Sequence, residues 1–329
     1  MDAAIRDTYI RSQLQERQRS LSAAIGQYGQ TESLIRLLQQ VDAALERMNG
    51  GSYGLCEVCH DGIESDRLLA DPLIRNCLDH LSPDELRHLE EDLDLAAIIQ
   101  NKLLPPKSLK VVGWETFYHY EPAGSVSGDY CDFISSESGD GSLYILLGDV
   151  SGKGVAASML MAHLHALFRG LTTSGATLAQ LAARANRIFC ESTISTHYAT
   201  LVLARAESAG AVEICNSGHP APLLIHAGGL RTLEATGLPI GMFCELDYAA
   251  QKIRLQSGDM LLLYTDGLTE ARDASGSEYG EDRLKQLASR SRNLSPKDLV
   301  AACVEDLRSF RGSASILDDL TVMAIKRNA

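Results

Sequence analysis

The sequence lacks any apolar run of about 18 residues, the least that crosses a bilayer as a helix. Its start, MDAAIRDTYIRSQLQERQRS, is too polar for a secretory signal. Positive charge is scarce: 30 Lys and Arg stand against 43 Asp and Glu, a net −13. That balance argues against non-specific nucleic-acid binding and against anionic membrane surfaces. Aromatic residues make up only 5%, and no basic stretch is interleaved with them, so no nucleic-acid reader is expected. Three catalytic signatures are missing as well. There is no G-x-S-x-G elbow, no cysteine opens a C-x5-R loop, and SGKG is not a P-loop because Gly154 follows Lys153. The expectation is a soluble cytoplasmic protein, and its 8 cysteines do not imply disulfides there. Hydrophobic residues at 45% are ample for a core, and 329 residues suit one large domain plus a smaller module.

Against these absences four aspartates stand out, each in a turn of small residues. They are Asp129 in SVSGDYCDF, Asp149 in LLGDVSGKG, Asp266 in LLYTDGLTE, and Asp318 or Asp319 in ILDDLTVMAI. The strand-like runs LYILL and MLLLY lead into the second and third turns, and LTVMAI follows the last. A carboxylate at the mouth of a buried strand is held rigidly and still reaches solvent. Four of them converging carry too much negative charge unless cations sit between them. All-oxygen ligands select hard ions, Mg²⁺ or Mn²⁺, so the pattern predicts a two-metal hydrolytic centre. Taken singly, each turn reads equally well as an ordinary Asx turn.

Gly128, Gly148, Gly152, Gly154 and Gly267 surround these aspartates and let backbone approach metal and phosphate closely. Lys153 either lends charge to the phosphate or is a solvated loop lysine. His219 in CNSGHPAP either braces its turn or offers an acid. Asp132 either orients the Asp129 turn and its water or is a plain surface carboxylate.

The blocks EPAGSVSGDYCDF, GDVSGKG, CNSGHPAPLL, YTDGLTEA and DDLTVMAI, in that order, resemble the metal-dependent protein phosphatase (PPM) superfamily. They are nearest its bacterial branch of SpoIIE-like and RsbU-like serine phosphatases. The resemblance runs from about Leu93 to Lys326. It implies that Asp149 bridges two metals with the Val150 carbonyl as a further ligand, and that Asp129 completes one metal's set. Asp266 and Asp318 then hold the other, with Asp319 the adjacent alternative. Gly152, Lys153 and Gly154 fall beside the substrate phosphate. A water activated between two dications would attack phosphorus in line, with no phosphoenzyme. Some members carry a histidine where this chain has Lys153, which leaves the leaving-group acid open. The implied substrate is a phosphoserine or phosphothreonine protein, in that family a STAS-type anti-sigma-factor antagonist of a partner-switching pathway.

A second signal lies earlier. GSYGLCEVCHDGIESDRLLADPLIRNCLDHLS holds Cys56-x2-Cys59 and, further on, Cys77-x2-His80. Two short chelating pairs at that spacing can close a tetrahedral zinc site. The stretch from Ala44 to Leu81 resembles the DksA/TraR zinc finger, with His80 where that family has cysteine; Asp79 and His60 are alternative fourth ligands. One structural Zn²⁺ is implied, because so short and polar a segment has little core of its own. The acidic tip by which that family acts inside RNA polymerase has no match here. Cys131, Cys190, Cys215, Cys244 and Cys303 lie in separate apolar contexts and read as small core or turn residues.

The domains expected are a helical or coiled-coil segment at 1–48, the zinc finger at 49–81, a linker helix at 82–106 and the phosphatase domain at 107–329. In the first, Leu34, Leu38, Val41, Leu45 and Met48 form a stripe, with Leu14, Leu21, Ile25 and Tyr28 upstream and Gly26 to Thr31 as a hairpin tip. Ser82-Pro83-Asp84-Glu85 is a helix start. That helix runs to Pro105-Pro106 with a seam of Leu86, Leu89, Leu93, Ala96, Gln100 and Leu103. It resembles linker helices that mediate homodimerisation in RsbU-like proteins; packing on its own domain is the alternative. Strands are expected at 110–120, 142–149, 198–206, 211–216, 222–226, 250–256, 259–265 and 319–326. Helices are expected at 154–171, 177–192, 280–291 and 296–310. This alternation fits an α+β layered sandwich, and the resemblance makes it the PPM αββα sandwich of two antiparallel sheets. Two other functions stay open: a DksA/TraR-like transcription regulator with the phosphatase domain as sensor, and a non-catalytic scaffold that binds a phosphoprotein.

Overall fold

The computed structural model describes residues 3–28, 31–81, 83–111, 113–136, 141–193 and 197–328. The chain divides into two compact units, Met1–Asp92 and Leu93–Ala329.

In the first unit, α1 (Ala3–Tyr28) and α2 (Glu32–Asn49) run antiparallel. The bonds Arg11–Asn49 and Gln18–Asp42 require this, since positions rise on one helix as they fall on the other. Ile10 and Leu14 of α1 and Val41, Ala44 and Leu45 of α2 are buried together with Cys56, Ile63, Leu68 and Cys77. The apolar stripe of α2 therefore packs inside its own unit, where each large side chain contributes about 1.5–3 kcal/mol of burial. The tip of the hairpin, residues 29 and 30, lies outside the described residues. A short α3 (Ser65–Ala70) follows the first cysteine pair. The Tyr53 hydroxyl donates to the Pro72 carbonyl at 2.9 Å, tying the segment before the first pair to the one before the second. α4 (Pro83–Leu103) opens on a proline already at helical φ and stops just before Pro105-Pro106; its expected cap, Ser82, lies outside the described residues.

The second unit, which begins within α4 at Leu93, holds eleven strands and five further α-helices among the described residues. In chain order they are β1 (Ser108–Val111), β2 (Trp114–Glu121), β3 (Asp129–Ser135), β4 (Leu143–Val150), α5 (Gly154–Leu171), α6 (Leu178–Ser192), β5 (Ala199–Ala206), β6 (Ala211–Ser217), β7 (Leu223–His226), β8 (Gly229–Thr232), β9 (Gln251–Arg254), β10 (Met260–Tyr264), α7 (Asp266–Thr269), α8 (Glu281–Arg290), α9 (Pro296–Arg311) and β11 (Leu320–Arg327). Two antiparallel sheets result, one ordered β1-β2-β11-β10-β7-β8 and the other β3-β4-β5-β6-β9. Between them lies a core of Cys131, Phe133, Ile145, Leu147, Val202, Leu261, Leu263, Met323 and Ile325. The opposite face of the five-stranded sheet packs Tyr144, Leu146 and Leu201 on Met161, Leu164, Phe168 and Phe189 of α5 and α6. The outer face of the six-stranded sheet packs Leu262, Val322 and Ala324 on Leu284, Leu299 and Leu307 of α8 and α9. Strands buried on both faces have to be apolar throughout, which is why LYILL and MLLLY carry no alternation.

The layers are those of an αββα sandwich, and the four long helices lie where their apolar periodicity puts them. Three strand regions differ from expectation, one of them β8, which pairs with β7 where no strand was expected. The run 110–120 is a hairpin, β1 and β2, turned at Gly113 (φ +83). Asp129 does not sit in a turn but opens β3, an edge strand of the five-stranded sheet. No helix among the described residues is long and apolar enough to cross a membrane.

Candidate active site

The antiparallel ladder sets Asp129 of β3 directly opposite Asp149 of β4. Asp266 begins α7 one residue beyond Thr265, and Asp318-Asp319 immediately precede β11, the neighbour of β10. One end of both sheets thus presents all five carboxylates. Two threonines bridge the sheets there. The Thr265 and Thr321 hydroxyls, next to β10 and in β11, donate to Asp129 Oδ2 at 3.0 and 2.6 Å. Thr265 Oγ1 in turn accepts the Thr321 N–H at 2.9 Å. Two glycines are needed for the close approach. A Cβ on Gly267 would stand 1.9 Å from the Asp319 carbonyl oxygen, and one on Gly128 would stand 2.9 Å from that of Val150.

Asp318 and Asp319 are distinguished by their surroundings. Asp319 is buried, and its two oxygens accept the N–H groups of Ala123 (2.7 Å) and Gly128 (2.9 Å). Its carboxylate is spent on holding the loop that leads into β3. Asp318 is half exposed, and its oxygens accept from the Lys153 ammonium (3.0 Å) and the Asp319 N–H. Lys153, expected either at the phosphate or free in solvent, pairs with Asp318 in this structure. Gly152 (φ +98) and Gly154 (φ +74) flank it in left-handed backbone.

The charges crowd. Burial first, and then Asp149, raise the Asp129 carboxyl well above the usual range. Burial, Asp266, Asp318 and Asp319 push Asp149 up to about 8, with Lys153 opposing. Burial, then Glu270 and Asp318, raise Asp266. An all-oxygen set whose members resist ionising together fits hard divalent cations, which would supply the missing positive charge.

Other candidates resolve differently. His219 is buried, its Nδ1 lies 2.8 Å from Thr200 Oγ1, and its backbone exchanges bonds with the Asn216 side chain. Burial drives its pKa down to about 3, which with these bonds favours the turn-bracing role. Asp132 is no surface carboxylate. It is fully buried on the helix-facing side of β3, and Arg169 of α5 grips both its oxygens at 2.7 Å. Sequence reasoning missed the partners of the aspartates: Thr265, Thr321, and Gln100 of α4. The Gln100 amide bonds both the carbonyl and the N–H of Ser127 (2.7 and 2.9 Å), two residues before Asp129. A hydroxyl beside two of the aspartate turns, in YTDG and DDLT, was the available signal.

In the first unit, Cys56, Cys59, Cys77 and His80 bring their ligand atoms within 4.8 Å of one another. They are the one group of three or more such side chains to do so among the described residues. Cys59 Sγ lies 3.7 Å from Cys77 Sγ, which lies 3.3 Å from His80 Nδ1. Against the burial that would raise it, N–H groups of Cys59, Cys77 and Val58 bring the Cys56 thiol down to about 6. An S₃N tetrad of that size fits Zn²⁺. His60 and Asp79 stand outside the group.

Comparison with known proteins agrees with this architecture. The family model of stage II sporulation protein E (SpoIIE) matches residues 139–328. Protein IcfG of Synechocystis is 28% identical over 267 residues, 72% of this chain and 42% of that protein. Phosphoserine phosphatase RsbU of Bacillus subtilis is 25% identical over 245 residues, 73% of this chain and 71% of that protein. The chain thus spans less than half the length of one of these relatives. The solved SiaA-PP2C domain of Pseudomonas aeruginosa shares the fold, with a TM-score of 0.66 over 76% of this chain and 100% of that one at 18% identity.

Proposed function

The chain belongs to the stage II sporulation protein E (SpoIIE) family, and from that premise we propose that it is a metal-dependent protein phosphatase acting on phosphoserine and phosphothreonine. The observation that carries the reading is the crowding of buried and half-buried, mutually repelling carboxylates at one end of both sheets, with Lys153 opposing them. Asp149 and the Val150 carbonyl, together with Asp129, Asp266 and Asp318, would hold two Mn²⁺ or Mg²⁺ ions. Bound there, the ions would neutralise phosphoryl charge and make water a nucleophile near neutral pH. The chain's own part is orientation. Thr265 and Thr321 fix Asp129, and Asp319 fixes the loop before it. Lys153, in the loop after Asp149, can swing from Asp318 to a phosphoryl oxygen.

RsbU bears the name phosphoserine phosphatase, which supports the choice of phosphoserine. The proposed natural substrate is a phosphorylated STAS-type anti-sigma-factor antagonist, and the proposed setting is the cytoplasm. The first unit holds one structural Zn²⁺ on Cys56, Cys59, Cys77 and His80. α4, which exposes Leu95, Ile98 and Ile99, is the proposed dimerisation helix. The test is phosphate release from para-nitrophenyl phosphate with EDTA, Mg²⁺ or Mn²⁺, for wild type beside Asp149→Asn. Mn²⁺-dependent turnover lost in the variant supports the reading. Binding of a phosphopeptide without turnover under any metal replaces it with the scaffold.

A further inference from the structure

Of the five cysteines outside the quartet, two do not lie in separate contexts. Cys190 sits near the end of α6, and Cys244 lies in the loop between Ile240 and β9. Asn186, one helical turn before Cys190 and on the same face of α6, clamps that loop. Its Nδ2 donates to the carbonyls of Phe243 (2.9 Å) and Cys244 (3.1 Å), and its Oδ1 accepts the Gly241 N–H at 2.8 Å. Gly241 (φ +88) permits the contact, since a Cβ there would stand 2.6 Å from the Phe189 ring. The backbone of Cys244 is therefore held against the helix face that carries Cys190. Both thiols line one cavity of about 590 Å³ together with Arg187 and Asp247. Cys244 is exposed and Cys190 half-buried.

We propose that Cys190 and Cys244 form a dithiol modification site that a peroxide closes to an intramolecular disulfide. The exposed Cys244 thiolate attacks one oxygen of hydrogen peroxide. The O–O bond breaks, Cys244 becomes a sulfenic acid, and the other oxygen leaves as water with the proton that thiol released. Cys190 sulfur then attacks Cys244 sulfur. The S–S bond forms, the S–O bond breaks, and the departing hydroxide takes the Cys190 proton as a second water. Two thiols lose two electrons and two protons, and peroxide becomes two waters. The order of events follows from the surroundings. Burial, then Cys244 and Glu191, push the Cys190 thiol up to about 11, so Cys190 is a poor first nucleophile and serves as the resolving thiol. The loop position of Cys244 leaves it free to adjust to disulfide geometry.

The test treats the full chain with hydrogen peroxide, alkylates remaining thiols and maps unreduced tryptic peptides. The expected product links peptide 188–205, which contains Cys190, to peptide 232–252, which contains Cys244. It should vanish on treatment with dithiothreitol and be absent in Cys244→Ser. Oxidation should also raise the unfolding temperature of wild type by several degrees, through restriction of the unfolded chain, and leave that of Cys190→Ser unmoved. Recovery of Cys190 alkylated while Cys244 is driven to sulfinic acid would overturn the proposal. Linkage of either cysteine to Cys56, Cys59, Cys77 or another chain would do the same.

Discussion

Asp318 and Asp319 are adjacent in sequence and opposite in consequence. Asp319→Ala removes the acceptor of two backbone N–H groups. Gly128 is buried, so its orphaned N–H costs about 1.5–3 kcal/mol, the range for a bond to a charged group. Ala123 is exposed and its N–H regains water, which limits that loss to roughly 0.5–1 kcal/mol. Relief of repulsion on Asp129 and Asp149 returns part of this. The net is about 2–3 kcal/mol, or roughly 5–10 °C in a unit of this size. Asp318→Ala breaks a pair whose side chains are 45% and 61% exposed. Such a pair is worth about 0–1 kcal/mol, and lost repulsion on Asp149 and Asp266 offsets it. The expected shift is within about 2 °C. Activity should divide the other way, with Asp318→Ala losing Mn²⁺-dependent turnover by roughly 100-fold or more while its fold persists. Thermal unfolding without added Mn²⁺, beside aryl phosphate hydrolysis, reads both quantities. A stable Asp319→Ala together with an active Asp318→Ala would refute the assignment of loop anchor and ligand.

Three further outcomes are expected. Replacing Cys56 and Cys59 together by serine should release the zinc equivalent to a colorimetric chelator and expose the amides of residues 53–80 to hydrogen exchange, because metal binding and local folding are one equilibrium; a zinc content equal to wild type would remove the site. Arg169→Met leaves buried Asp132 with only the Phe133 N–H and His165 beside it. It should cost toward the lower end of about 3–5 kcal/mol, since the arginine is half exposed, and Asp132→Asn added to it should recover part of the loss in urea unfolding. Arg283, then the Tyr279 hydroxyl, hold the Asp306 carboxyl below the usual range despite partial burial. A depressed carboxyl adds stability that is full above its unfolded value near 4 and is lost as pH falls through the folded value. Asp306→Asn should therefore unfold about 0.5–1 kcal/mol more easily at pH 7 and as easily as wild type at pH 2.

What was legible in the sequence, and what was not, follows from the range of the interactions involved. α5, α6, α8 and α9 repeat their apolar residues at helical spacing, and that periodicity needs no partner to be read. The cluster of Cys56, Cys59, Cys77 and His80 is two short-range pairs, so spacing alone brings it to notice. β3 escaped because DYCDF reads as polar and turn-like. Asp132 is held in the interior chiefly by Arg169, 37 residues away, beside His165 and the Phe133 N–H, and nothing near Asp132 announces that arginine. The aspartates themselves were visible, since each stands beside a glycine or another aspartate at a strand mouth. Their supports were not: Thr265 reaches Asp129 across 136 positions, Thr321 across 192, and Asp319 reaches back 191 to Gly128. Cys190 and Cys244 looked unrelated for the same reason, since it is Asn186 that brings their segments together. Ligand-bearing turns are local chemistry and can be read from a string. The groups that orient them belong to the closing of one sheet on the other. A substitution at Thr265 or Thr321 should accordingly act on both the fold of that end and the position of Asp129, so stability and turnover should fall together there, whereas at Asp318 they should separate.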